Sequence, residues 1–168
     1  MAISTVNIFG QPSSRMVLLK EINTNGLVFY TNFNSRKSQD LKNNPKISAL
    51  FYWNNLERQI RIEGIAKKYS SKASDVYFYS RSKEKKISTI ISPQSQEIKN
   101  IKCLYDKYNN MYQFFIKKEY IPRPEFWGGY ILKPQSIEFW KGSKIRLHRR
   151  KLFTLQNNKK WKVTYLAP

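Results

Sequence analysis

The segment FWKGSKIRLHRR, from Phe139 to Arg150, holds the one histidine of the chain, His148, with Arg146 and Arg150 two residues away on either side. Side chains alternate across a β-strand, so an extended segment puts Arg146, His148 and Arg150 on one face and Leu147 and Arg149 on the other. Such a face offers donors to an anionic or hydrogen-bonding partner. Other basic residues stand beside expected strands and turns: Arg15 and Lys20, Arg36 and Lys37, and Arg81. Arginine forks and the free N–H groups of a helix start, such as the one expected after Ser35, are how proteins hold a phosphate dianion. One phosphate takes about three or four such donors, and this set is large enough for two.

Other chemistries lack their residues. With one cysteine, Cys103, and one histidine, the chain has no internal disulfide and no Cys/His zinc site, and Cys103 reads as a half-buried helix residue. The six glycines form neither G-x-G-x-x-G nor a P-loop, and no G-x-S-x-G elbow occurs, so the signals of a Rossmann site, a P-loop and a serine hydrolase are missing.

The elements that must position the basic residues are mostly strands. AISTVNI, a turn at Phe9-Gly10-Gln11-Pro12, SRMVLLKEI, a turn at NTNG, and LVFYTNF read as a meander. SRKSQDLKNNP suits a short helix closed before proline, and ISALFYW and RQIRIEGIAKKY resume the strands, with Gln59, Arg61 and Glu63 opposite Ile60 and Ile62. SKASDVYFYSRS is expected to be helical. A second helix is expected to start at Ser92-Pro93 and to pack Ile98, Ile101, Leu104, Tyr105 and Tyr108 on the core. YILKPQSIEFW, IRLHRRKLFTL and WKVTYLAP are the closing strands. Seven or eight strands in hairpin order, with a few helices, predict a mainly β fold: an antiparallel β-barrel with attached helices, in a single domain over residues 1–168.

A net charge of +20 attracts polyanions without a specific site. Here the lysines are spread through loops such as LKNNPK and LQNNKKWK, and no nucleic-acid motif occurs, so nucleic acid is not the expected partner. No apolar run approaches the ~18 residues of a membrane span and no signal segment is present, which makes a cytoplasmic location the expectation.

SRMVLLK, GLVFYTNFNSRK, NPKISALFYW, RQIRIEG, SDVYFYSR, SPQSQ, PEFWGGY, IEFWKG, RLHRR and WKVTYLAP occur in this order from Ile3 to Pro168. Together they resemble the pyridoxamine 5′-phosphate oxidase family, FMN enzymes of vitamin B6 metabolism. The resemblance implies an FMN-binding split barrel that forms a homodimer with flavin at the subunit interface. It implies flavin contacts from Arg15, Met16, Val17, Leu18, Leu19 and Lys20, from Tyr30, Thr31, Arg36, Lys37 and Gln59, and from Gln94, Ser95, Trp140 and Arg150 of the partner subunit. For the substrate it implies Lys20, Tyr77, Arg81 and Lys85 at the 5′-phosphate, and Arg146, Leu147 and His148 at the pyridine ring, where Arg146 and His148 position the reacting carbon. The implied activity is oxidation of pyridoxamine 5′-phosphate and pyridoxine 5′-phosphate to pyridoxal 5′-phosphate, with O2 reduced to hydrogen peroxide.

The pattern departs at Lys85, where the family has serine, at Tyr79, a usual histidine, and at Arg149, a usual aspartate. Family members usually carry a longer N-terminal region that closes over the substrate, whereas this sequence begins just inside the first barrel strand. A flavin-binding barrel with reduced turnover and, after it, a basic polyanion-binding protein stay open as alternatives.

Overall fold

The computed structural model describes all 168 residues. The chain runs β1 (Ala2–Val6), β2 (Pro12–Met16), β3 (Glu21–Asn23), β4 (Gly26–Asn32), α1 (Arg36–Asn43), β5 (Lys46–Trp53), a short helical turn (Asn54–Leu56) and β6 (Arg58–Lys68). It continues through α2 (Ser71–Tyr79), α3 (Lys83–Ile91), α4 (Ile101–Phe115), β7 (Trp127–Lys141), β8 (Arg149–Leu155) and β9 (Trp161–Leu166). No helix is long and apolar enough to cross a membrane.

Two compact units divide the chain. The first comprises Met1–Phe29, Asp40–Lys67 and Ile131–Pro168. It contains most of one sheet of strand order β2-β1-β5-β6-β7-β4-β3, extended by β8 on β7 and β9 on β8, and β4 and β7 run on into the second unit. Alternation sets its core: along β6, Ile62, Gly64 and Ala66 are buried while Arg61, Glu63 and Lys67 are exposed. Ile3, Val28, Ile47, Ala49, Ile131 and Leu132 join them. Gly26 has φ +142°, and a Cβ there would overlap the Leu132 carbonyl oxygen; a Cβ at Gly64 would overlap the Lys133 carbonyl. Glycine is what lets the backbones come so close.

The second unit, Tyr30–Gln39 and Lys68–Tyr130, is mainly helical. Its core is Phe78, Ile87, Phe115, Ile121 and Trp127, with Tyr30, Tyr77, Tyr108, Met111 and Tyr112 packed around it. The Ser70 side chain accepts from the Ala73 N–H and caps α2, and Asn100 caps α4 through the Cys103 N–H.

Four local expectations are corrected. SRMVLLKEI is two strands: the ladder with β1 runs on in the same register only to the Val17–Met1 pair, and the chain is out of strand from there until β3 begins at Glu21. Ser92-Pro93 ends a helix that the sequence reading missed, α3, and does not begin one. Gln96 N–H closes a turn on the Pro93 carbonyl, and α4 starts only after Asn100. The buried stripe of α4 is consequently Tyr108, Met111, Tyr112 and Phe115, while Ile98, Ile101 and Tyr105 are exposed. Finally, Arg146, His148 and Arg150 do not share a strand face. Arg146 sits in a turn at φ +62°, its N–H bonded to the Ser143 carbonyl, and β8 begins only at Arg149.

Gly26→Ala combines a strained φ with a backbone overlap and is expected to lower stability by about 3 kcal/mol. Gly10→Ala, at φ +80° with open space around it, serves as the control, and about 1 kcal/mol is expected there. Urea unfolding midpoints of the two variants check the difference.

Candidate active site

Three clusters gather about half of the residues singled out from the sequence. In the second unit, the N-terminal turn of α1 buries Lys37. Its Nζ donates to Thr31 Oγ1 at 2.9 Å, Ser35 Oγ at 3.0 Å and Gln94 Oε1 at 3.2 Å. Thr31 Oγ1 in turn lies 3.2 Å from Gln94 Oε1, and Asn32 Nδ2 donates to the Ser92 carbonyl at 3.4 Å. The turn after α3 is thereby held against the start of α1. Gln94 meets Lys37 of its own chain, and the unforeseen α3 is what brings the turn back. Arg36, the first residue of α1, is exposed, as is Ser95 at φ +69°.

A second cluster in the same unit is aromatic with one cation. Tyr30 stacks on Tyr77 with ring centroids 4.2 Å apart and on Trp127 at 5.4 Å. The Arg81 guanidinium lies 4.9 Å from the Trp127 ring centroid and donates from Nη1 to Thr89 Oγ1 at 2.7 Å, and Thr89 Oγ1 donates to the Lys85 carbonyl at 2.9 Å. Burial lowers the Arg81 pKa from its ordinary value, since the charge is partly removed from water. A half-buried arginine on an aromatic floor is suited to an anion that arrives with its own charge. Lys85 is exposed on α3, and Tyr79 shares a 2.7 Å hydrogen bond with the Tyr120 hydroxyl, which raises its pKa.

The third cluster belongs to the first unit. A cavity of about 840 Å³ is lined by Trp53, Gln59, Ile60, Trp140, His148 and Arg150, among others. Trp140 and His148 have ring centroids 4.9 Å apart. The Ser143 N–H donates to His148 Nδ1 at 3.2 Å, so a neutral imidazole carries its hydrogen on Nε2. Arg150 pairs across the ladder with Trp140. Its Nε donates to Glu138 Oε1 at 2.7 Å, its Nη2 to Glu138 Oε2 at 3.2 Å, and its Nη1 to the Ala167 carbonyl at 3.0 Å. Arg61 reaches the same carboxylate at 3.4 Å. The Arg150 hydrogen bonds, helped by the charges of both arginines, hold the Glu138 carboxyl below its usual range against the opposing effect of burial.

Glu138 escaped the sequence reading. A single acidic residue in IEFW carries no motif, and only the register that puts Arg150 opposite Trp140 on β8 reveals its partner. Trp127 stands in the PEFWGGY segment, but its stacking with Tyr30 and Tyr77 shows only in the fold. Elsewhere in the first unit Arg15 donates to Thr5 and Ser13, each at 2.8 Å, near Asp40 at 4.0 Å. Met16 and Leu18 are exposed, Val17 and Leu19 half-buried, and the Lys20 N–H donates to the Val28 carbonyl at 2.9 Å. β2 ends between Arg15 and Lys20, so the two do not share a strand. Arg146 and Leu147 are exposed in the turn before β8.

The family model for pyridoxamine 5′-phosphate oxidase matches residues 1–114, and that for the pyridoxine 5′-phosphate oxidase C-terminal dimerisation region matches residues 127–168. The chain is 47% identical over 168 residues to the pyridoxine/pyridoxamine 5′-phosphate oxidase of Psychromonas ingrahamii, covering all of this chain and 76% of that one. The chain belongs to the pyridoxamine 5′-phosphate oxidase family. A second relative, pyridoxine/pyridoxamine 5′-phosphate oxidase 2 of Hydrogenovibrio crunogenus, is 46% identical over all of this chain and 78% of its own. Among solved structures, PhzG from Burkholderia lata 383, in complex with tetrahydrophenazine-1-carboxylic acid, superposes with a TM-score of 0.92 at 32% identity, covering 99% of this chain and 81% of that one. An FMN-binding, pyridoxamine 5′-phosphate oxidase-related protein from Nostoc punctiforme, at 16% identity and a TM-score of 0.79, shares the fold. The fold is the split β-barrel of this family.

Within that barrel Glu138 has a testable acid signature. Its folded pKa lies below the ordinary glutamate value of 4.5, so its stabilisation is fully present above that value and is lost as pH falls through the depressed one. Glu138→Gln is expected to be less stable than the unchanged chain at pH 7, with the gap closing as the pH is lowered well below 4.5. Urea midpoints measured across pH 3 to 7, by about half-unit steps, check this.

Proposed function

We propose that this chain is an FMN-dependent oxidase that converts pyridoxamine 5′-phosphate and pyridoxine 5′-phosphate to pyridoxal 5′-phosphate, acting as a homodimer. The observation that carries the reading is the pair of cationic clusters in the second unit, Lys37 with Thr31 and Gln94, and Arg81 with Tyr77. They suit two ligands that each bear a phosphate. Identity of 44–47% over the whole chain to oxidases of that name supports the substrate class, and the match to the dimerisation region supports the dimer.

The residues fit FMN. Lys37 at the start of α1, with Arg36 beside it, offers charge and backbone N–H groups to a flavin phosphate. The cavity of the first unit offers what a flat tricyclic ring needs, apolar and indole walls at Ile60, Trp53 and Trp140 with polar groups from Gln59 and Arg150. Arg15 and the backbone of Met16 through Lys20 complete the flavin set in this reading, with Tyr30 and Ser95. When bound, FMN accepts a hydride from C4′ of the substrate and passes the electrons to O2, giving hydrogen peroxide.

The chain's own part is to bind, orient and exclude water. Tyr77 and Arg81, with Lys20 and Lys85, hold the 5′-phosphate. His148 and Arg146 position the pyridine ring, His148 with Nε2–H directed by the Ser143 contact to Nδ1. Binding energy from the remote phosphate thus holds the reacting carbon in place. Pyridoxine 5′-phosphate and O2 give pyridoxal 5′-phosphate and H2O2; pyridoxamine 5′-phosphate takes up one water as well and releases ammonia. The reading includes one domain over residues 1–168 and a cytoplasmic location, where Cys103 stays reduced.

Aerobic turnover tests this. The FMN-loaded protein is expected to form pyridoxal 5′-phosphate and hydrogen peroxide in equal amounts from pyridoxine 5′-phosphate, and flavin binding without either product would leave only a flavin-binding barrel. Lys37→Met, which removes one charge-assisted contact to phosphate, is expected to weaken FMN binding about tenfold or more in a flavin fluorescence titration.

A further inference from the structure

Arg123 lies in the segment between α4 and β7, and its side chain is only 13% exposed. Each of its three guanidinium nitrogens has a different partner. Nε donates to Asp75 Oδ1 at 2.6 Å, Nη2 to Ser71 Oγ at 2.8 Å and Nη1 to the Trp127 carbonyl at 2.5 Å. Ser71 and Asp75 are one turn apart on α2, so the fork grips that helix at two points and the first residue of β7 at a third. The two elements it joins both contribute to the aromatic cluster, alongside Tyr30 of β4. α2 carries Tyr77 and leads into Arg81, and Trp127 is the ring beside which both lie, at 6.0 Å and 4.9 Å.

We infer that Arg123 is a positioning residue for the substrate's 5′-phosphate, acting by locking α2 to Trp127 so that Tyr77 and Arg81 keep one geometry. This rests on the assignment of Tyr77 and Arg81 to that phosphate under the proposed function. Arg123 acts through these neighbours, since its side chain is mostly buried and each of its nitrogens is held by α2 or Trp127. The fold does not depend on it alone. The Gly129 N–H donates to Ser74 Oγ of α2 at 3.1 Å, and Phe78 of α2 is fully buried in the core cluster. Loss of Arg123 therefore leaves α2 attached and changes its seating against Trp127. Lysine is a poor replacement, because one compact ammonium cannot serve a carboxylate, a hydroxyl and a carbonyl spread around a planar fork.

The test uses the FMN-loaded protein, in which the flavin's own phosphate site is filled, and reads inorganic phosphate binding by calorimetry together with steady-state oxidation. A misplacement of about 1 Å can cost about a hundredfold, and Arg123→Ala and Arg123→Lys are each expected to weaken inorganic phosphate binding about tenfold. KM for pyridoxine 5′-phosphate should rise by the same factor with kcat held within about twofold, and kcat/KM for unphosphorylated pyridoxine should stay unchanged.

A residue that merely supports the fold would depress both substrates alike, and that result overturns the inference. So does phosphate binding that is equally tight in all three proteins, or absent from the unchanged chain. Should Arg123→Ala not fold, Ser71→Ala removes one of the three contacts and is expected to shift phosphate binding in the same direction by a smaller factor; no shift there or in Arg123→Lys overturns it equally. Phosphate binding is read without turnover, so absence of oxidation would count against the proposed function and not against this role of Arg123.

Discussion

Strand β7, fifteen residues from Trp127 to Lys141, constrains everything near it, because its neighbours in the sheet must come close to its backbone. Gly26 of β4 and Gly64 of β6 stand where any Cβ would collide with the carbonyls of Leu132 and Lys133. The same demand recurs nearer its start, where a Cβ at Gly128 would press on the Phe33 ring and one at Gly129 on Tyr30 and Tyr69. With these glycines the strand packs tightly along its length. One end then presents Trp127 to the aromatic cluster, and toward the other Trp140 lines the cavity while Glu138 holds the lining residue Arg150. Trp127, Glu138 and Trp140 are positioned by the strand that bears them.

Glu138 shows how charge is handled under such packing. A carboxylate that is 7% exposed costs free energy unless paired, and here a bidentate Arg150 and a second contact from Arg61 supply the pairing. The arrangement fixes Arg150 beside Trp140 and leaves its Nη1 on the Ala167 carbonyl near the C-terminus. Arg123 does the corresponding job in the second unit, with a backbone carbonyl and two side chains of α2 as its partners. In both places an arginine fork converts secondary-structure geometry into the orientation of a ring or a cation.

Strand positions and turn chemistry were legible in the sequence because they are local: AISTVNI, NTNG and LVFYTNF form the elements their periodicity predicts, and β6 alternates as expected, whereas the order of strands in the sheet, with β1 beside β5 and β4 beside β7, departs from the expected meander. Where reading failed, a long-range partner decided. The Arg146, His148 and Arg150 triplet has strand-like spacing, but Gly142-Ser143 opens a turn that carries Arg146 into left-handed backbone and leaves only Arg150 on β8. Ser92-Pro93 is as compatible with a helix end as with a helix start, and the choice was made by α3 and by contacts from Asn32, Thr31 and Lys37. The site residues themselves came chiefly from a family resemblance. Composition and spacing had identified the basic residues as phosphate-binding candidates but had not said which of them converge.

The most direct test of the central claim, that this chain takes a hydride from a phosphorylated B6 vitamer onto flavin, is an anaerobic single-turnover spectrum. Pyridoxine 5′-phosphate added to the FMN-loaded protein without oxygen should bleach the oxidised flavin band, and admitting air should restore it. A flavin band that persists unbleached while FMN stays bound would contradict the claim.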